Sequence, residues 1–226
     1  VYAIIRLVDD LLTETGVVGM AFMLLGIFSI VLGAISALGV RDFKRILAFS
    51  SVSQIGYIVL GVSCGSGLGF IGALLHFFNH ATFKSTLFVN SAAVESRTGT
   101  TDIEQLGGLQ KQMPITGTSN IIAFLSTAGI PPLAGFWSKL LIIIAVWQAH
   151  GGVVAGIALC ATIFTVAYFL LLQRKVFFGP SRDALTDIKE AAFPIKLASI
   201  LLTCITVGAG IAFPWILRFL QAQGWL

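Results

Sequence analysis

The sequence predicts an all-α protein, a polytopic bundle of transmembrane helices. Of its 226 residues, 57% are hydrophobic and only 11% are charged, whereas a soluble domain carries about 25% charged residues. Such a chain has too few polar residues to cover its surface in water, so we expect it to lie in a lipid bilayer. Its apolar runs continue for about 18 residues or more without alternation, which favours helices over a membrane β-barrel.

The net charge is +4, and most charged residues stand in the segments between the apolar runs. A modest charge of this kind argues against a nucleic-acid partner. Cys64, Cys160 and Cys204 are far apart within apolar segments. They therefore predict neither a disulfide framework nor a metal cluster.

Two short patterns resemble cofactor or metal motifs but lack parts that those motifs need. The glycines of residues 67–72 have the spacing of a dinucleotide-binding loop, which also requires a parallel βαβ unit that this composition excludes. His76 and His80 have the spacing of a zinc-protease helix, but Phe77 stands at the position of its general-base glutamate. We therefore expect no cofactor, no metal site and no catalytic residues of an enzyme in this chain.

The apolar runs predict six membrane spans. They lie at residues 17–39, 46–63, 68–94, 118–149, 152–172 and 194–213. Residues 1–8 resemble the last turns of a truncated transmembrane helix, and residues 214–226 are predicted to form a C-terminal tail. Because the chain shows neither an initiator methionine nor a signal peptide, we expect it to be a fragment of a longer protein.

Basic residues are distributed unequally between the two sides of the predicted bundle. Ten lie on the side of the loops at 41–45, 95–113 and 174–193, and two lie on the other side. By the positive-inside rule these loops face the cytoplasm, which places the protein in the inner membrane of the cell. Within the middle loop, Thr101–Glu104 has the pattern of a capping box and Gly107–Gly108 that of a helix stop, which together predict one short surface helix.

The second span carries a polar face. Ser50, Ser53, Gln54 and Tyr57 follow each other at i, i+3, i+4 and i+7, which places them on one side of a helix. We expect this side to face the bundle rather than the lipid and to support the site described next.

The third span carries three ionisable residues within its apolar run. His76, His80 and Lys84 are four residues apart, so at helical pitch they form a stripe on one face with steps of about 6 Å. Ionisable groups at membrane depth are costly to insert, and they usually line a hydrated or protein-filled interior through which ions or protons pass. A structural stripe of hydrogen bonds between packed helices is the alternative.

The fourth span, 118–149, is too long for one simple crossing and contains two adjacent prolines. Pro131–Pro132 lacks two backbone donors and is flanked by Gly129 and Gly135, so we expect the helix to break here. The freed carbonyl groups should face a polar interior, because lipid cannot satisfy them, and broken helices mark ion or substrate sites in transporters. Lys139, two turns beyond the prolines, is embedded in apolar sequence and is the fourth candidate relay residue. A kink with a snorkelling lysine is the alternative.

Together these motifs resemble those of the antiporter-like membrane subunits of respiratory complex I, and equally those of Mrp-type Na⁺/H⁺ antiporters and membrane-bound hydrogenases. The similarity covers most of residues 40–140 in the family's order. The matching stretches are Asp42–Gly56, His76–Lys84, Leu106–Leu109 and Gly129–Lys139.

The resemblance implies both a fold and a role for the candidate residues. The chain would hold the C-terminal half of such a subunit, that is, the second of two inverted five-helix repeats and the final helix. His76, His80 and Lys84 would match the family's His and Lys helix, and Lys139 would match the lysine of its second broken helix. Buried lysines release protons readily and histidine titrates near neutral pH, so these four residues would relay protons.

Three functions follow from the resemblance. The first is a proton-translocating membrane subunit of a multisubunit ion-pumping complex, either a complex I-like NADH-quinone oxidoreductase or a hydrogenase-linked pump, with other membrane subunits as partners. The second is a subunit of an Mrp-type antiporter, which would exchange Na⁺ or another monovalent cation for protons. The third is a structural membrane subunit that conducts no ions. Sodium dependence of transport would separate the first two functions, and loss of coupling on lysine substitution would separate both from the third.

Overall fold

The structure is a computed structural model that describes residues 16–182, 185 and 187–222. Its helices are α1 (Gly16–Gly39), α2 (Phe43–Val62), α3 (Gly67–Thr98), α4 (Leu109–Gln112), α5 (Pro114–Ala128), α6 (Ala134–His150), α7 (Gly152–Gln173), which continues into the π-helical turn Arg174–Phe178, and α8 (Phe193–Ala222). The described residues contain no strand, and the predicted all-α fold class is confirmed. The helix end predicted at residues 1–8 lies outside the described residues.

Four of the described helices are long and apolar enough to cross a membrane. They are α1, α2, α7 with its π-helical turn, and α8. The third predicted span corresponds to α3, which has 32 residues but carries polar side chains along much of its length. The fourth is divided into α5 and α6, of 15 and 17 residues. These helices bury polar side chains against their neighbours, which is possible only inside a bundle.

Capping residues determine where the helices around the site begin. Asp42 accepts a hydrogen bond from the backbone N–H of Arg45 (2.8 Å) at the start of α2. Ser66 accepts one from the N–H of Gly69 (3.2 Å) at the start of α3. With this start, the stretch His76–Lys84 falls near the middle of α3, about 14 to 26 Å from its first residue.

The predicted helix break is confirmed. Helix α5 ends at Ala128 and α6 begins at Ala134. Gly129 has a φ angle of 81°, in the left-handed region that residues with a side chain rarely adopt. Pro131–Pro132 stands in the gap, where neither residue has an N–H to continue the hydrogen bonds of α5.

The two half-helices touch at Gly135. A Cβ atom at this position would overlap the carbonyl oxygen of Ser126. The N–H of Gly135 donates to the Ser126 hydroxyl (3.3 Å), which ties the first turn of α6 to the last turn of α5. A residue with no side chain is therefore needed here for the two half-helices to pack this closely.

Glycines also allow α1 and α2 to pack with their backbones in contact. A Cβ atom at Gly26 would lie 3.0 Å from the carbonyl oxygen of Gly56, and one at Gly33 would lie 2.5 Å from the nitrogen of Ser53. Small residues at such crossings are common in membrane helix pairs. Helix α1 thereby holds α2 with its polar face turned towards the bundle.

The last helix, α8, covers the break. A Cβ atom at Gly210 would lie 2.6 Å from the carbonyl oxygen of Pro132, so the two backbones are in contact. The indole N–H of Trp137 donates to the Gly210 carbonyl (3.1 Å), and the Trp137 ring stacks on Phe213 with centroids 5.0 Å apart. These contacts position the start of α6 against α8.

Several helices extend beyond the predicted spans, and α3 and α8 are two of them. Helix α3 continues to Thr98, past the predicted end at 94. The apolar run ends at 94, but polar residues can also be helical, so the backbone hydrogen bonds of the helix continue beyond it. Helix α8 continues through Pro214 to Ala222. Residues 214–222 of the predicted tail are therefore helical, in contrast to the sequence expectation.

Three connections meet at one end of the bundle, which we call the loop face. They are residues 41–45, 95–113 and 174–182. The N–H of Phe43 donates to the Thr101 carbonyl (2.8 Å). Glu104 contacts Arg41 (3.7 Å) and accepts a hydrogen bond from Lys175. The hydrogen bond from Lys175, with the charges of Lys175 and Arg41, holds the pKa of the Glu104 carboxyl below its ordinary value of 4.5.

The prediction of a short surface helix beginning at Thr101–Glu104 is wrong. The Asp102 carboxylate accepts the N–H of Glu104 (3.0 Å), which closes a turn instead of capping a helix. Ile103 is 1% exposed, so its burial draws the segment into the bundle. A helix begins only after Gly108, as the single turn α4.

Candidate functional site

Helix α3 turns the face with His76, His80 and Lys84 into the bundle. His76 is fully buried and Lys84 is 5% exposed, while His80 is half-buried. The Lys84 ammonium donates to the Leu47 carbonyl (2.7 Å) and to the Ser50 hydroxyl, both on α2. Both of these acceptors are neutral.

Lys139 lies on α6 just beyond the break and is 3% exposed. Its ammonium donates to the carbonyl of Thr127 in the last turn of α5 (2.7 Å). The residue that would normally donate to this carbonyl within a helix is Pro131, which has no N–H. The break thus frees the acceptor that Lys139 uses. The ammonium also lies 4.7 Å from the centre of the Tyr57 ring, within the range of a cation–π interaction.

His76 joins α3 to α6. Its Nδ1 lies 2.9 Å from the hydroxyl oxygen of Ser138, and that hydroxyl donates to the Gly135 carbonyl (3.2 Å). With the hydroxyl proton directed to Gly135, we assign Nδ1 as the donor and Nε2 as the acceptor, and Nε2 has no hydrogen-bond partner among the described residues. Asn79 strengthens the junction by donating to the Ala134 carbonyl (2.8 Å) and to Ser138 (3.2 Å).

Aromatic rings lie between neighbouring members of the row. The Tyr57 ring, which contacts Lys139, is 6.0 Å from the His76 ring between centroids. The Phe83 ring is 6.2 Å from His76 and 5.6 Å from His80. Steps of about 6 Å along α3 exceed one hydrogen bond, so proton transfer between the members requires bridging water.

Neither Lys84 nor Lys139 has a carboxylate partner in the part of the chain that the structure describes. The ion pairs found there involve Glu95 and Glu104, which lie at the loop face. An ammonium group without a counter-charge in a low-dielectric interior carries a desolvation cost that proton release removes. Among the described residues, both ammonium groups are held by neutral acceptors alone.

The chain matches a known family of membrane proteins over most of its length. Residues 1–165 match the family described as NADH:quinone oxidoreductase/Mrp antiporter, TM. The chain belongs to this family. The resemblance inferred from the four sequence motifs is thus confirmed, and the bundle is that of a multi-pass antiporter-like membrane protein.

Individual relatives agree with the family assignment. The chain is 34% identical over 220 residues to an Na(+)/H(+) antiporter subunit of Alkalihalophilus pseudofirmus, covering 86% of this chain and 27% of that protein. It is 32% identical over 220 residues to NADH-quinone oxidoreductase subunit N of Desulforudis audaxviator, covering 93% and 44%. Its structure resembles the Mrp complex from Dietzia sp. DQ12-45-1b with a TM-score of 0.86 and 26% identity, covering 96% of this chain and 48% of that one. The chain spans less than half the length of these relatives.

In this antiporter-like protein, two members of the predicted polar face on α2 contact the row. Ser50 accepts a hydrogen bond from Lys84. Tyr57 places its ring against Lys139, and its hydroxyl donates to the Ala158 carbonyl on α7 (2.7 Å). The structure thus brings Ser50 to one lysine and Tyr57 to the other.

The other two members, Ser53 and Gln54, are fully buried. Within the described ranges, the Ser53 hydroxyl and both amide atoms of Gln54 have no hydrogen-bond partner. Buried polar atoms of this kind are usually satisfied by water. Their supporting role stays a prediction, as do the roles of the four relay residues.

Sequence reasoning missed two polar residues of the antiporter-like site, Asn79 and Ser138. Asn79 stands three residues after His76, and Ser138 directly precedes Lys139. A search for hydroxyl and amide side chains within one turn of each ionisable residue would have found both. Their pairing with each other across two helices has no sequence signal.

Proposed function

We propose that this chain carries part of the proton path of a proton-translocating membrane subunit in a multisubunit ion-pumping complex. The relay residues are His76, His80, Lys84 and Lys139. The complex would be a complex I-like NADH-quinone oxidoreductase or a hydrogenase-linked pump, and other membrane subunits would be the partners. The observation that carries the proposal is the pair of buried lysines, whose ammonium groups are each bound to neutral acceptors.

In this proposal each group has a distinct task. The Thr127 carbonyl holds the Lys139 ammonium in place until the proton leaves. His76 receives a proton at Nε2 while Nδ1 stays bound to Ser138, so the ring keeps its orientation as protons arrive and leave. His80 provides the next step towards Lys84, with water between the members. A change of charge in a neighbouring subunit would shift the proton affinity of each site in turn.

The orientation in the membrane is part of the proposal. The loop face carries the excess of basic residues, so the positive-inside rule places it on the cytoplasmic side of the inner membrane.

The decisive experiment replaces Lys139 in the intact assembly. Lys139→Met keeps most of the length of the side chain but removes the ionisable group, and Lys139→Arg keeps the charge on a group that does not release its proton in the physiological range. We expect both variants to insert and assemble but to lose proton translocation by tenfold or more, on the order of 1.4 kcal/mol or more in the barrier. The measurement is proton translocation in sealed membrane vesicles, driven by the assembly's own reaction and normalised to the amount of assembled protein.

Lys111→Met is the matched control, since Lys111 is exposed at the loop face, and it should translocate at the normal rate. Normal translocation by Lys139→Met would remove Lys139 from the proton path. A lysine with a purely structural role would show the opposite pattern, with Arg tolerated and Met reducing assembly.

An Mrp-type cation/proton antiporter subunit is the second candidate, because one relative is named as an Na(+)/H(+) antiporter subunit. The same vesicles decide between the two functions. Proton movement that follows an imposed Na⁺ gradient, without any driving redox reaction, would support the antiporter. Proton movement that requires the redox reaction and ignores Na⁺ would support the pump.

A further inference from the structure

A cleft with basic side chains opens at the loop face, beside the end of α7; we call it the basic cleft. Its volume is about 660 Å³, which is within the range of sites that bind small molecules. One wall is the last part of α7, and the others are the segments 103–106 and 179–182. The cleft is open to the outside of the bundle, because Leu170 and Leu171 on its α7 wall are exposed.

Glycines hold the two loop segments of the basic cleft against each other. A Cβ atom at Gly107 would overlap the carbonyl oxygen of Pro180, and one at Gly108 would lie 2.8 Å from the Cα atom of Ser181. Gly108 also has a φ angle of 67°, in the left-handed region that favours glycine. Ile103 anchors the first segment by its burial in the bundle. The shape of the cleft is therefore fixed by backbone contacts.

Basic residues outnumber acidic ones in the cleft. Arg174, Lys175 and Arg182 line it, and Glu104 is the one carboxylate among its described lining residues. Glu104 accepts a hydrogen bond from Lys175 and lies 3.7 Å from Arg41. The single negative charge is thus already matched by neighbouring cations, and the cleft keeps an excess of positive charge.

Two guanidinium groups of the cleft have donors to offer to a ligand. Arg174 is exposed and takes part in none of the ion pairs that the described residues form. Arg182 uses Nη2 to donate to the backbone carbonyl of Glu104, and its other N–H groups remain. A planar guanidinium matches the oxygen atoms of a phosphate group with two parallel hydrogen bonds. The cleft therefore suits a phosphate ester.

An exposed apolar stripe on α7 leads from the middle of the helix to the basic cleft. Ile163, Ala167 and Leu170 are exposed, and Arg174 follows them. Their spacing of i, i+4, i+7 and i+11 places all four on one face of the helix. The stripe is about 16 Å long, roughly half the thickness of the hydrocarbon core. It therefore extends from the cleft to about the middle of the bilayer, the depth that one acyl chain reaches.

The cleft and the stripe together select an amphipathic anion. A soluble anion would contact only the basic cleft, and an uncharged lipid would contact only the stripe. An anionic phospholipid contacts both, with its phosphate at the guanidinium groups and an acyl chain along α7. Helix α7 with its π-helical turn is long and apolar enough to cross a membrane, so the cleft lies at the depth of the headgroups. Basic pockets between membrane helices bind such headgroups.

We propose that the basic cleft binds an anionic phospholipid of the leaflet on the loop side. Arg174 and Arg182 bind the phosphate, and Lys175 holds Glu104 so that its carboxylate does not repel the lipid. The bound headgroup joins the segments 103–106 and 179–182 to the end of α7. This site does not depend on the proposed proton relay, since it shares no residue with it.

The experiment identifies the lipid that labels this part of α7. The intact assembly is reconstituted into phosphatidylcholine vesicles that contain a small amount of phosphatidylglycerol with a photoreactive acyl chain. After irradiation, mass spectrometry of the peptides should find the label in residues 163–174. Arg174→Gln/Arg182→Gln should reduce this labelling about tenfold, because both guanidinium groups that bind the phosphate are lost. Phosphatidylcholine with the same photoreactive chain should label the wild type more weakly and the two proteins equally, because its headgroup has no net charge.

Arg45→Gln/Arg97→Gln is the matched control. It removes the same two positive charges from the loop face, where both residues are exposed, but neither of them lines the cleft. Labelling by phosphatidylglycerol should therefore stay at the level of the wild type.

Three results would overturn the site. They are equal labelling of the two double variants, labelling of the wild type that is no stronger with phosphatidylglycerol than with phosphatidylcholine, and no label in residues 163–174. The last result would mean that a partner subunit covers the cleft instead of a lipid. If Arg174→Gln/Arg182→Gln does not assemble, Arg174→Gln alone decides, because Arg174 has no ion pair to lose among the described residues; its labelling should still fall severalfold.

Discussion

Replacing Ser138 with alanine tests how the row is held together. The Ser138 hydroxyl lies 2.9 Å from His76 Nδ1, accepts a hydrogen bond from Asn79 (3.2 Å) and is fully buried. Asn79 keeps its second acceptor, the Ala134 carbonyl (2.8 Å), so the substitution leaves one buried donor, the Nδ1–H group, without a partner. An unsatisfied buried group costs about 1 to 3 kcal/mol.

A cost of about 2 kcal/mol has a measurable consequence for proton transfer. It corresponds to a factor of about thirty in the population of the His76 ring that presents Nε2 as the acceptor. We therefore expect Ser138→Ala to slow proton translocation by tenfold or more while the assembly stays intact. The assay is translocation in membrane vesicles normalised to assembled protein, with thermal unfolding of the purified assembly as a measure of stability.

Thr127→Val is the matched control for this experiment. The Thr127 hydroxyl donates to Ala123 of its own helix (2.8 Å), whereas its backbone carbonyl, which the variant keeps, receives Lys139. Both variants remove one buried hydroxyl next to the break, but only Ser138→Ala releases His76. Equal translocation rates in the two variants would refute the idea that Ser138 orients the histidine.

Two further predictions concern the break and the loop face. Gly135→Ala should destabilise the assembly by about 1 to 3 kcal/mol, because its Cβ atom would overlap the Ser126 carbonyl oxygen. Gly156→Ala is the control, since no neighbouring atom lies within 4 Å of a Cβ atom there, and thermal unfolding should show no comparable loss of stability. Equal losses in the two variants would contradict the argument. The hydrogen bond from Lys175 lowers the pKa of the Glu104 carboxyl from 4.5, so the stabilisation is present above about pH 4.5 and is lost as the pH falls through the lowered value. Hydrogen exchange of the amides in residues 101–107, corrected for intrinsic rates, should speed up on acidification. Glu104→Gln should show this fast exchange already at pH 7. Unchanged protection both on acidification and in the Glu104→Gln variant would disprove the role of this contact.

Local chemistry was enough to predict most of the fold. Continuous apolar runs without alternation indicate membrane helices, since lipid leaves the backbone few other ways to satisfy its polar groups. The break followed from Pro131–Pro132, because two missing N–H groups end a helix in any environment. The stripe of His76, His80 and Lys84 followed from helical pitch alone.

Local chemistry was not enough for the loop at Thr101–Glu104. The same side chains cap helices and close turns, and the burial of Ile103 decided between the two. The extension of α8 through Pro214 was also unpredictable from the sequence, because it depends on what the helix packs against.

The sequence by itself therefore determined the helices, the break and the identity of the ionisable residues. Only the tertiary structure decided which atoms those residues meet: Thr127 O for Lys139, Ser138 for His76, and Leu47 O with Ser50 for Lys84. The physical reason is that each partner comes from another helix, where pitch and spacing carry no information. Such contacts depend on how close the helices approach, and glycines such as Gly135 and Gly210 control that distance.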